Sequence, residues 1–291
     1  MNYLHSLLRS AGRLVAFLSV VSFALFRAAW LPRTERRLPR TTRCARWSHY
    51  WSPRVRRCLG VTVEVQGRAP DGGMLVCNHV SYLDMLALTA ATEMVFLSKA
   101  EVRRWPLLGQ IAHAGGMLFV NRERRADVAD LAPAFEAVIA EGVVLTLFPE
   151  GTSTGGDRVL PFHSSLLAPA ARRGWAVTPA FIRYEVEDGS VENEVAYWRD
   201  MTFLPHFLNL LRKRRIRAVV RFGEPLRNSD RKALTRELHR AVLALALAQP
   251  APAPLNAAPT AAGAAASRTP ATAAAAGASH RAGASHRETA R

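Results

Sequence analysis

Cysteine is scarce in this 291-residue sequence, and its three copies lack a paired spacing. Cys44, Cys58 and Cys77 form neither a disulfide framework nor the close pairs of a structural zinc site. Four histidines also lack the spacing of metal ligands: His113, His163, His206 and His239. The sequence therefore predicts a protein of a reducing compartment, without a metal site.

Acidic residues are nearly absent from the first 60 positions. These positions hold twelve arginines, no lysine and a single acid, Glu35, in a chain of net charge +16. Aromatic residues are interleaved with the arginines at Trp30, Trp47, Tyr50 and Trp51. Such a mixture suits the headgroup layer of a membrane, although it can also bind RNA. The apolar stretch beside it favours lipid, and we predict no nucleic-acid partner.

Only one stretch, residues 14–31, is long and apolar, and it contains Arg27. Its part without charge, residues 14–26, has 13 residues, fewer than the roughly 20 that cross a bilayer. A signal peptide would need a small-residue cleavage site after the run, and residues 27–30 (RAAW) are a poor one. A transit peptide would be less apolar than this stretch. We predict a membrane anchor that lies in the interface or crosses as a short tilted span. If it crosses, the arginines after it place the chain at the cytoplasmic face of the inner (cell) membrane.

Changes in composition divide the chain into three predicted regions. Residues 1–58 form a basic N-terminal membrane-anchoring segment, and residues 59–249 form the main folded domain. Residues 250–291 are rich in alanine and proline and have almost no large apolar side chains. Such a tail cannot bury enough surface to offset the entropy of ordering, so we predict that it is disordered.

From about residue 59, short apolar runs alternate with helical patterns. Strands are predicted at 61–65, 74–77, 94–97, 116–120, 143–148, 175–182 and 216–222, and helices at 126–140, 164–173 and 230–248. This alternation is typical of an α/β fold with a mostly parallel sheet covered by helices. Ligands of such folds bind at the carboxyl ends of the strands. His79, Arg122 and Glu150 each follow a predicted strand, so we expect them at one edge of the sheet.

The segment 78–84, NHVSYLD, lies between a predicted strand and a predicted helix. A histidine followed five residues later by a carboxylate is a candidate general base with its orienting partner. Five residues of regular helix would turn His79 and Asp84 roughly 140° apart, so His79 must lie in the loop and Asp84 on the first helical turn. The alternative is structural, because Ser81 and Asp84 also fit a capping box.

Four blocks resemble, in order, the signature blocks of the glycerolipid acyltransferases, the family that includes 1-acylglycerol-3-phosphate acyltransferase. They are Asn78-His79 with Asp84, residues 116–122 (GMLFVNR), residues 148–152 (FPEGT) and residues 177–180 (VTPA). In the second block, family members more often carry Asp before the arginine. The resemblance covers roughly residues 60 to 185 and implies a glycerol-phosphate acyltransferase-like fold.

The resemblance also implies roles for individual residues. His79 would take the proton of the acceptor hydroxyl, and Asp84 would hold the ring tautomer and stabilise the imidazolium. The implied acceptor-binding residues are Arg122, Glu150, Gly151 and Thr152. Arg122 would bind an anionic group through a forked contact. Alternatively, it is an exposed member of a basic run, and residues 150–152 are a plain turn.

The implied activity is that of a membrane-associated O-acyltransferase. The donor would be acyl-CoA or acyl-carrier protein as co-substrate, with no other cofactor. The expected acceptor is 1-acylglycerol 3-phosphate, which would give phosphatidic acid. Lyso-ornithine lipid is the main alternative, because residues 152–165 look similar to that bacterial subgroup. The basic run 212–215 either contacts the membrane or is simply solvated.

A second enzyme class also has a motif in this sequence. Residues 151–155, GTSTG, fit the G-x-S-x-G nucleophile elbow of serine hydrolases and follow a predicted strand. An elbow opens directly into a helix, and residues 155–161 (GGDRVLP) have no helical pattern. A serine hydrolase that uses Ser153 is therefore the remote alternative.

Overall fold

The computed structural model describes residues 2–120 and 131–248 of the chain. Arg122, the start of the helix predicted at 126–140 and the tail 250–291 lie outside the described residues. The described residues belong to one compact unit. The division of the sequence after residues 58 and 249 stays a prediction.

Strands and helices alternate along the described residues. The strands are β1 (Val61–Gln66), β2 (Met74–Cys77), β3 (Met94–Lys99), β4 (Leu118–Val120), β5 (Val144–Leu147), β6 (Val177–Val186) and β7 (Ile216–Phe222). The helices are α1 (Asn2–Thr34), α2 (Arg40–Cys58), α3 (Leu83–Leu88), α4 (Leu108–Ala114), α5 (Ala132–Ala140), α6 (Ala168–Arg173), α7 (Val191–Glu194), α8 (Phe203–Arg212) and α9 (Arg231–Leu247). Short 3₁₀ helices at Ala100–Arg104 and Ser164–Leu167 precede α4 and α6.

The described strands form one seven-stranded sheet in the order β1-β7-β6-β2-β5-β3-β4. Each neighbouring pair is parallel except β6 with β7, which is antiparallel. The central strands β2 and β5 are buried along their whole length, which explains why they are continuous apolar runs. The four adjacent strands β6, β2, β5 and β3 therefore bring their carboxyl ends to one edge.

Two apolar cores lie on the two faces of the sheet. Leu75 and Cys77 of β2 belong to one core, whereas Met74 and Val76 belong to the other, as the two-residue period of a strand requires. The first core also contains Phe17 of α1, so the N-terminal segment contributes to it. The predicted fold class, α/β with a mostly parallel sheet covered by helices, is confirmed.

Helix α1 is longer than the apolar stretch predicted at residues 14–31. It has 33 residues and is roughly 50 Å long at 1.5 Å per residue. Residues Leu4–Thr34 are long and apolar enough to cross a membrane by length and composition. Arg9 and Arg13 interrupt the apolar pattern in the sequence, but their guanidinium groups bind backbone carbonyls of α8 and of the chain just after it.

The two faces of α1 differ in their surroundings. One face is buried through Phe17, Val21 and Ala24. The other face exposes large apolar side chains: Leu4, Leu8, Val15, Leu18, Phe23 and Phe26. An apolar surface of this size is unusual on a soluble protein and indicates membrane association.

The expected place of the aromatic residues in the headgroup layer requires all of them to face outward. In the structure, only some of them do. Trp47 and Trp51 of α2 are buried against α1, whereas Trp30 and Tyr50 are exposed. The indole Nε1 of Trp47 donates to the carbonyl oxygen of Ala24 at 2.9 Å. The prediction was wrong for Trp47 and Trp51, because α1 supplies an apolar partner that composition alone does not identify.

Replacing Trp47 by alanine tests the packing of α2 on α1. Trp47→Ala removes a buried ring and the hydrogen bond to Ala24, so it should lower the free energy of unfolding by about 3 kcal/mol. Tyr50→Ala, on the same helix but exposed, should change it by less than about 1 kcal/mol. Urea unfolding in detergent measures both values, and equal losses would contradict this packing.

Candidate active site

The chain leaves the sheet at Asn78, directly after β2. The Asn78 side chain donates to the carbonyl oxygen of Ile182 at 2.9 Å and accepts from the Ile182 backbone N–H at 2.8 Å. These two bonds continue the pairing of β2 with β6 by one residue. They fix the position from which the loop starts, and His79 is the first residue of that loop.

His79 contacts the carboxylate predicted as its partner. Its Nδ1 lies 2.7 Å from Oδ2 of Asp84, which is fully buried, whereas the His79 side chain is 25% exposed. Asp84 is on the first turn of α3, and His79 is in the loop, as the spacing predicts. The structure therefore brings the two residues together in the predicted arrangement.

The same carboxylate also binds donors other than His79. Oδ2 of Asp84 accepts from the backbone N–H groups of Val80 at 2.8 Å and Ser81 at 3.1 Å. Oδ1 accepts from the Tyr184 hydroxyl at 2.7 Å. The bond to Ser81 N–H is one half of the capping box, but the Ser81 side chain forms no cap. Asp84 thus starts the helix and orients His79 at once.

The contacts of Asp84 determine which nitrogen of the His79 ring can reach a substrate. Because Asp84 accepts from Nδ1, that nitrogen carries the proton in the neutral ring, and Nε2 has a free lone pair. The ring is stacked on Phe148, with centroids 4.2 Å apart and planes 20° apart. This packing holds the ring orientation, and His79 lines a large cavity. The arrangement can therefore take a proton from a hydroxyl placed there.

Glu150 holds the loop after β5 to the loop of His79. Glu150 is 3% exposed. Its Oε1 accepts a hydrogen bond from the backbone N–H of His79, and its Oε2 accepts one from the backbone N–H of Leu160, each at 2.9 Å. In the other direction, the Thr154 backbone N–H donates to the His79 carbonyl at 2.9 Å. Burial raises the pKa of Glu150 to about 7, although the two backbone bonds act to lower it.

The residues predicted to bind the acceptor lie in different surroundings. Gly151 and Thr152 line the same cavity as His79. Gly151 has a φ of +78°, a conformation in which glycine is not strained. Both carboxylate oxygens of Glu150 bind backbone groups, and Arg122 lies outside the described residues. Acceptor binding by these four residues stays a prediction.

The cavity beside His79 has a volume of about 750 Å³. Aromatic and aliphatic side chains form most of its wall, including Val21, Trp51, Ile111, Met117 and Phe207. They come from α1, α2, α4 and α8 as well as from the sheet edge. Such a cavity, with a mostly apolar wall and a few polar groups, fits a fatty acyl chain.

Sequence reasoning missed three groups of residues at this site. Lys99, at the end of β3, is the one lysine or arginine among the described residues that line the cavity. Its position after a predicted strand could have marked it. Tyr184 gives no such signal, because it lies between Arg183 and Glu185 in a strand 100 residues from Asp84. The wall formed by α1 and α2 also escapes sequence analysis, since periodicity does not say what a helix packs against.

Ser153 is not arranged as a nucleophile. Its Oγ donates to the carbonyl oxygen of Tyr197 at 2.5 Å. The described residues from Phe148 to His163 form turns and extended chain, and the next helical turn begins at Ser164. A nucleophile elbow needs a helix directly after the serine, and here that helix is missing.

A His–carboxylate pair that faces an apolar cavity can activate a hydroxyl next to a bound acyl chain. Together with the α/β sheet, this site is typical of an enzyme of acyl transfer. The comparisons with known proteins agree with this class. A family model described as Acyltransferase matches residues 60–183, a range that contains His79, Asp84 and Glu150.

Three known proteins illustrate the similarity. The chain is 37% identical over 250 residues to a lyso-ornithine lipid O-acyltransferase of Pseudomonas aeruginosa, covering 83% of this chain and 93% of that protein. It is 33% identical over 138 residues to a 1-acyl-sn-glycerol-3-phosphate acyltransferase of Neisseria meningitidis, covering 46% of this chain and 54% of that protein. The crystal structure of the 1-acyl-sn-glycerophosphate acyltransferase PlsC of Thermotoga maritima has the same fold, with a TM-score of 0.58 and 20% identity. The match covers 84% of this chain and 98% of that chain. The chain belongs to the glycerolipid acyltransferase family.

Substitutions at the His–Asp pair should abolish most of the activity. His79→Ala removes the predicted base and should lower kcat by at least about 100-fold, the smallest usual contribution of a general base. Asp84→Asn should also lower kcat, because it changes the bonds that fix the ring tautomer. Acyl transfer by each purified variant is measured with radiolabelled donor, and circular dichroism checks the fold.

Ser153→Ala is the matched control on the neighbouring loop. It removes only the hydrogen bond to the Tyr197 carbonyl, so most of the activity should remain. A fluorophosphonate probe should not label the wild-type protein at Ser153. Labelling there, or a Ser153→Ala variant as inactive as His79→Ala, would contradict the assignment.

Glu150→Gln should alter how stability depends on pH. The pKa of Glu150 is about 7 in the fold, compared with an ordinary value of 4.5. Between these values the folded chain keeps a proton that the unfolded chain has lost, so the free energy of unfolding falls as the pH rises. The fall contributed by Glu150 is at most about 1.4 kcal/mol per pH unit. Urea unfolding from pH 5 to 8 should show this contribution in the wild type and lack it in Glu150→Gln, whereas parallel profiles would refute it.

Proposed function

We propose that this protein transfers a fatty acyl group from an acyl thioester to the hydroxyl group of lyso-ornithine lipid. The observation that carries this proposal is the extent of the match to the Pseudomonas aeruginosa enzyme, which covers 93% of that protein. The match to the Neisseria meningitidis enzyme covers 54% of that protein. Acylation of 1-acylglycerol 3-phosphate, the acceptor expected from the sequence, is the second candidate, and the 33% identity to the Neisseria meningitidis enzyme favours it.

Charges in the described part of the site support a zwitterionic acceptor. Lys99 and Glu101, which have one residue between them in the sequence, both line the cavity and carry opposite charges. An ornithine headgroup carries a carboxylate and an ammonium group, which such a pair can bind together. Arg122 is expected from the sequence to hold the anionic group, but it lies outside the described residues.

The proposed reaction is one direct transfer. Nε2 of His79 takes the proton of the acceptor hydroxyl while the hydroxyl oxygen attacks the thioester carbonyl carbon. Asp84 stabilises the imidazolium that forms. When the carbonyl is restored, the bond from carbon to sulfur breaks, and the thiolate takes the proton from His79. Ester and thiol leave the site, and His79 returns to its neutral form.

The surroundings of the site support the choice of donor and location. The acyl chain would occupy the apolar cavity, with the thioester beside His79 and the rest of acyl-CoA or acyl-carrier protein outside. Neither donor needs a further cofactor. We infer that α1 holds the protein at the cytoplasmic face of the inner (cell) membrane, where both donors and the lipid acceptor are available.

An acceptor assay tests the proposed function. The purified protein receives radiolabelled acyl donor and either lyso-ornithine lipid or 1-acylglycerol 3-phosphate at equal mole fractions in mixed micelles. We expect kcat/KM to be at least about tenfold higher for lyso-ornithine lipid, a difference of about 1.4 kcal/mol in transition-state binding. A higher value for 1-acylglycerol 3-phosphate would replace this proposal by the second candidate. His79→Ala, assayed with both acceptors, measures the background.

A further inference from the structure

Helix α8 exposes an apolar stripe that ends in a positive charge. Leu204 is 62% exposed and Leu208 is 42% exposed, and Arg212 is exposed one turn further on. Residues at four-residue spacing lie along one side of a helix. The opposite side of α8 is buried through Phe207, Leu210 and other residues, so this stripe is the outer face of a packed helix.

The exposed surface continues onto the chain before α4. The ring of Trp105 lies 6.4 Å from that of Phe203, the first residue of α8, and is 37% exposed. Arg103 and Arg104, which precede it, are exposed too. Trp105 and Phe203 also line the cavity beside His79. The apolar and basic surface is thus continuous with the wall of the cavity.

Helix α8 is attached to α1, the helix that is apolar enough to cross a membrane. Arg9 donates to the carbonyl oxygen of Arg212 at 2.8 Å, and Arg13 to those of Leu211 at 3.3 Å and Arg214 at 3.0 Å. Two guanidinium groups thereby satisfy carbonyls at the end of α8, where the helix dipole favours positive charge. The exposed stripe of α8 therefore has a fixed position relative to α1.

Packing between the two helices is apolar as well as polar. The ring of Phe17 lies 4.9 Å from that of Phe207, with the planes tilted by 55°. The buried side of α8 is therefore the side that meets α1, and its exposed stripe remains available to a further partner.

This surface has two parts: the α8 stripe, which is Leu204, Leu208 and Arg212, and the Trp105 turn, which is residues 103–105. We propose that the α8 stripe and the Trp105 turn form a second lipid-contacting surface, which binds an anionic bilayer and places the opening of the cavity against it. A tryptophan, leucines and arginines are the combination that sits at the headgroup layer of a membrane.

Charge and continuity favour a bilayer over a second copy of this chain. Arg103, Arg104 and Arg212 would repel the same residues of a second copy, whereas anionic headgroups attract them. Against these three arginines stands Glu101, which is also exposed and is the acid nearest to the Trp105 turn in the sequence. The exposed apolar face of α1 adds a neighbouring surface with the same preference. The proposal does not depend on which lysolipid is the acceptor.

Photolabelling from lipid tests this surface without an activity measurement. The full-length protein is reconstituted in vesicles of phosphatidylcholine and phosphatidylglycerol with a phospholipid that carries a diazirine near its headgroup. Peptides labelled on irradiation are identified by mass spectrometry. We expect label on α1, on residues 203–212 and on residues 103–108, and several-fold less on α9. Helix α9 packs against the core on the other face of the sheet from α8 and exposes Leu243 and Leu247.

Two matched double variants separate lipid contact from apolar exposure in general. Leu204→Gln with Leu208→Gln should lower the labelling of residues 103–108 and 203–212 several-fold and leave that of α1 unchanged. Leu243→Gln with Leu247→Gln on α9 should leave the labelling of all these peptides unchanged. Glutamine keeps a high helix propensity, and thermal unfolding of both variants checks their fold.

Two outcomes would overturn the proposal. One is label on α1 without label on α8 or the Trp105 turn in the wild-type protein. The other is a dimer of the detergent-solubilised protein, seen by light scattering, that the α8 variant converts to a monomer, since the stripe would then bind a second copy. If the acceptor assay fails while α8 is labelled, the surface stands and only the proposed function falls.

Discussion

The buried carboxylate of Asp84 is the constraint on which the site depends. A carboxylate removed from water costs several kcal/mol unless hydrogen bonds replace its solvation. Here the donors are the His79 ring, two backbone N–H groups of the loop and the Tyr184 hydroxyl. Each of these groups must be in place for the carboxylate to be stable, so the cost of burial fixes the orientation of the histidine.

The sheet supplies those donors because of its strand order. β2 lies between β5 and β6, so its loop meets the loop after β5 on one side and Tyr184 of β6 on the other. Asn78 fixes the loop to β6 through Ile182, and Glu150 fixes it to the loop after β5. A histidine held from both sides loses little freedom when a substrate binds, which favours catalysis by positioning.

Much of this arrangement could be predicted from the sequence, for local reasons. The apolar runs of β2 and β5 mark strands buried on both faces, and the spacing of His79 and Asp84 places one in a loop and the other on a helix. The antiparallel pairing of β6 with β7 could not be predicted, because nothing local specifies strand direction. Tyr184 and the burial of Trp47 depend on partners far along the chain, which periodicity does not identify.

The measurement that tests the central claim most directly is the mass of the protein after it has been mixed with the acyl donor. Direct transfer through His79 and Asp84 forms no covalent bond between the acyl group and the chain. Wild-type protein mixed with acyl donor alone, quenched in acid and measured by intact-protein mass spectrometry, should keep its unmodified mass. A mass higher by one acyl group, mapped to Ser153 or to any other side chain, would contradict the account.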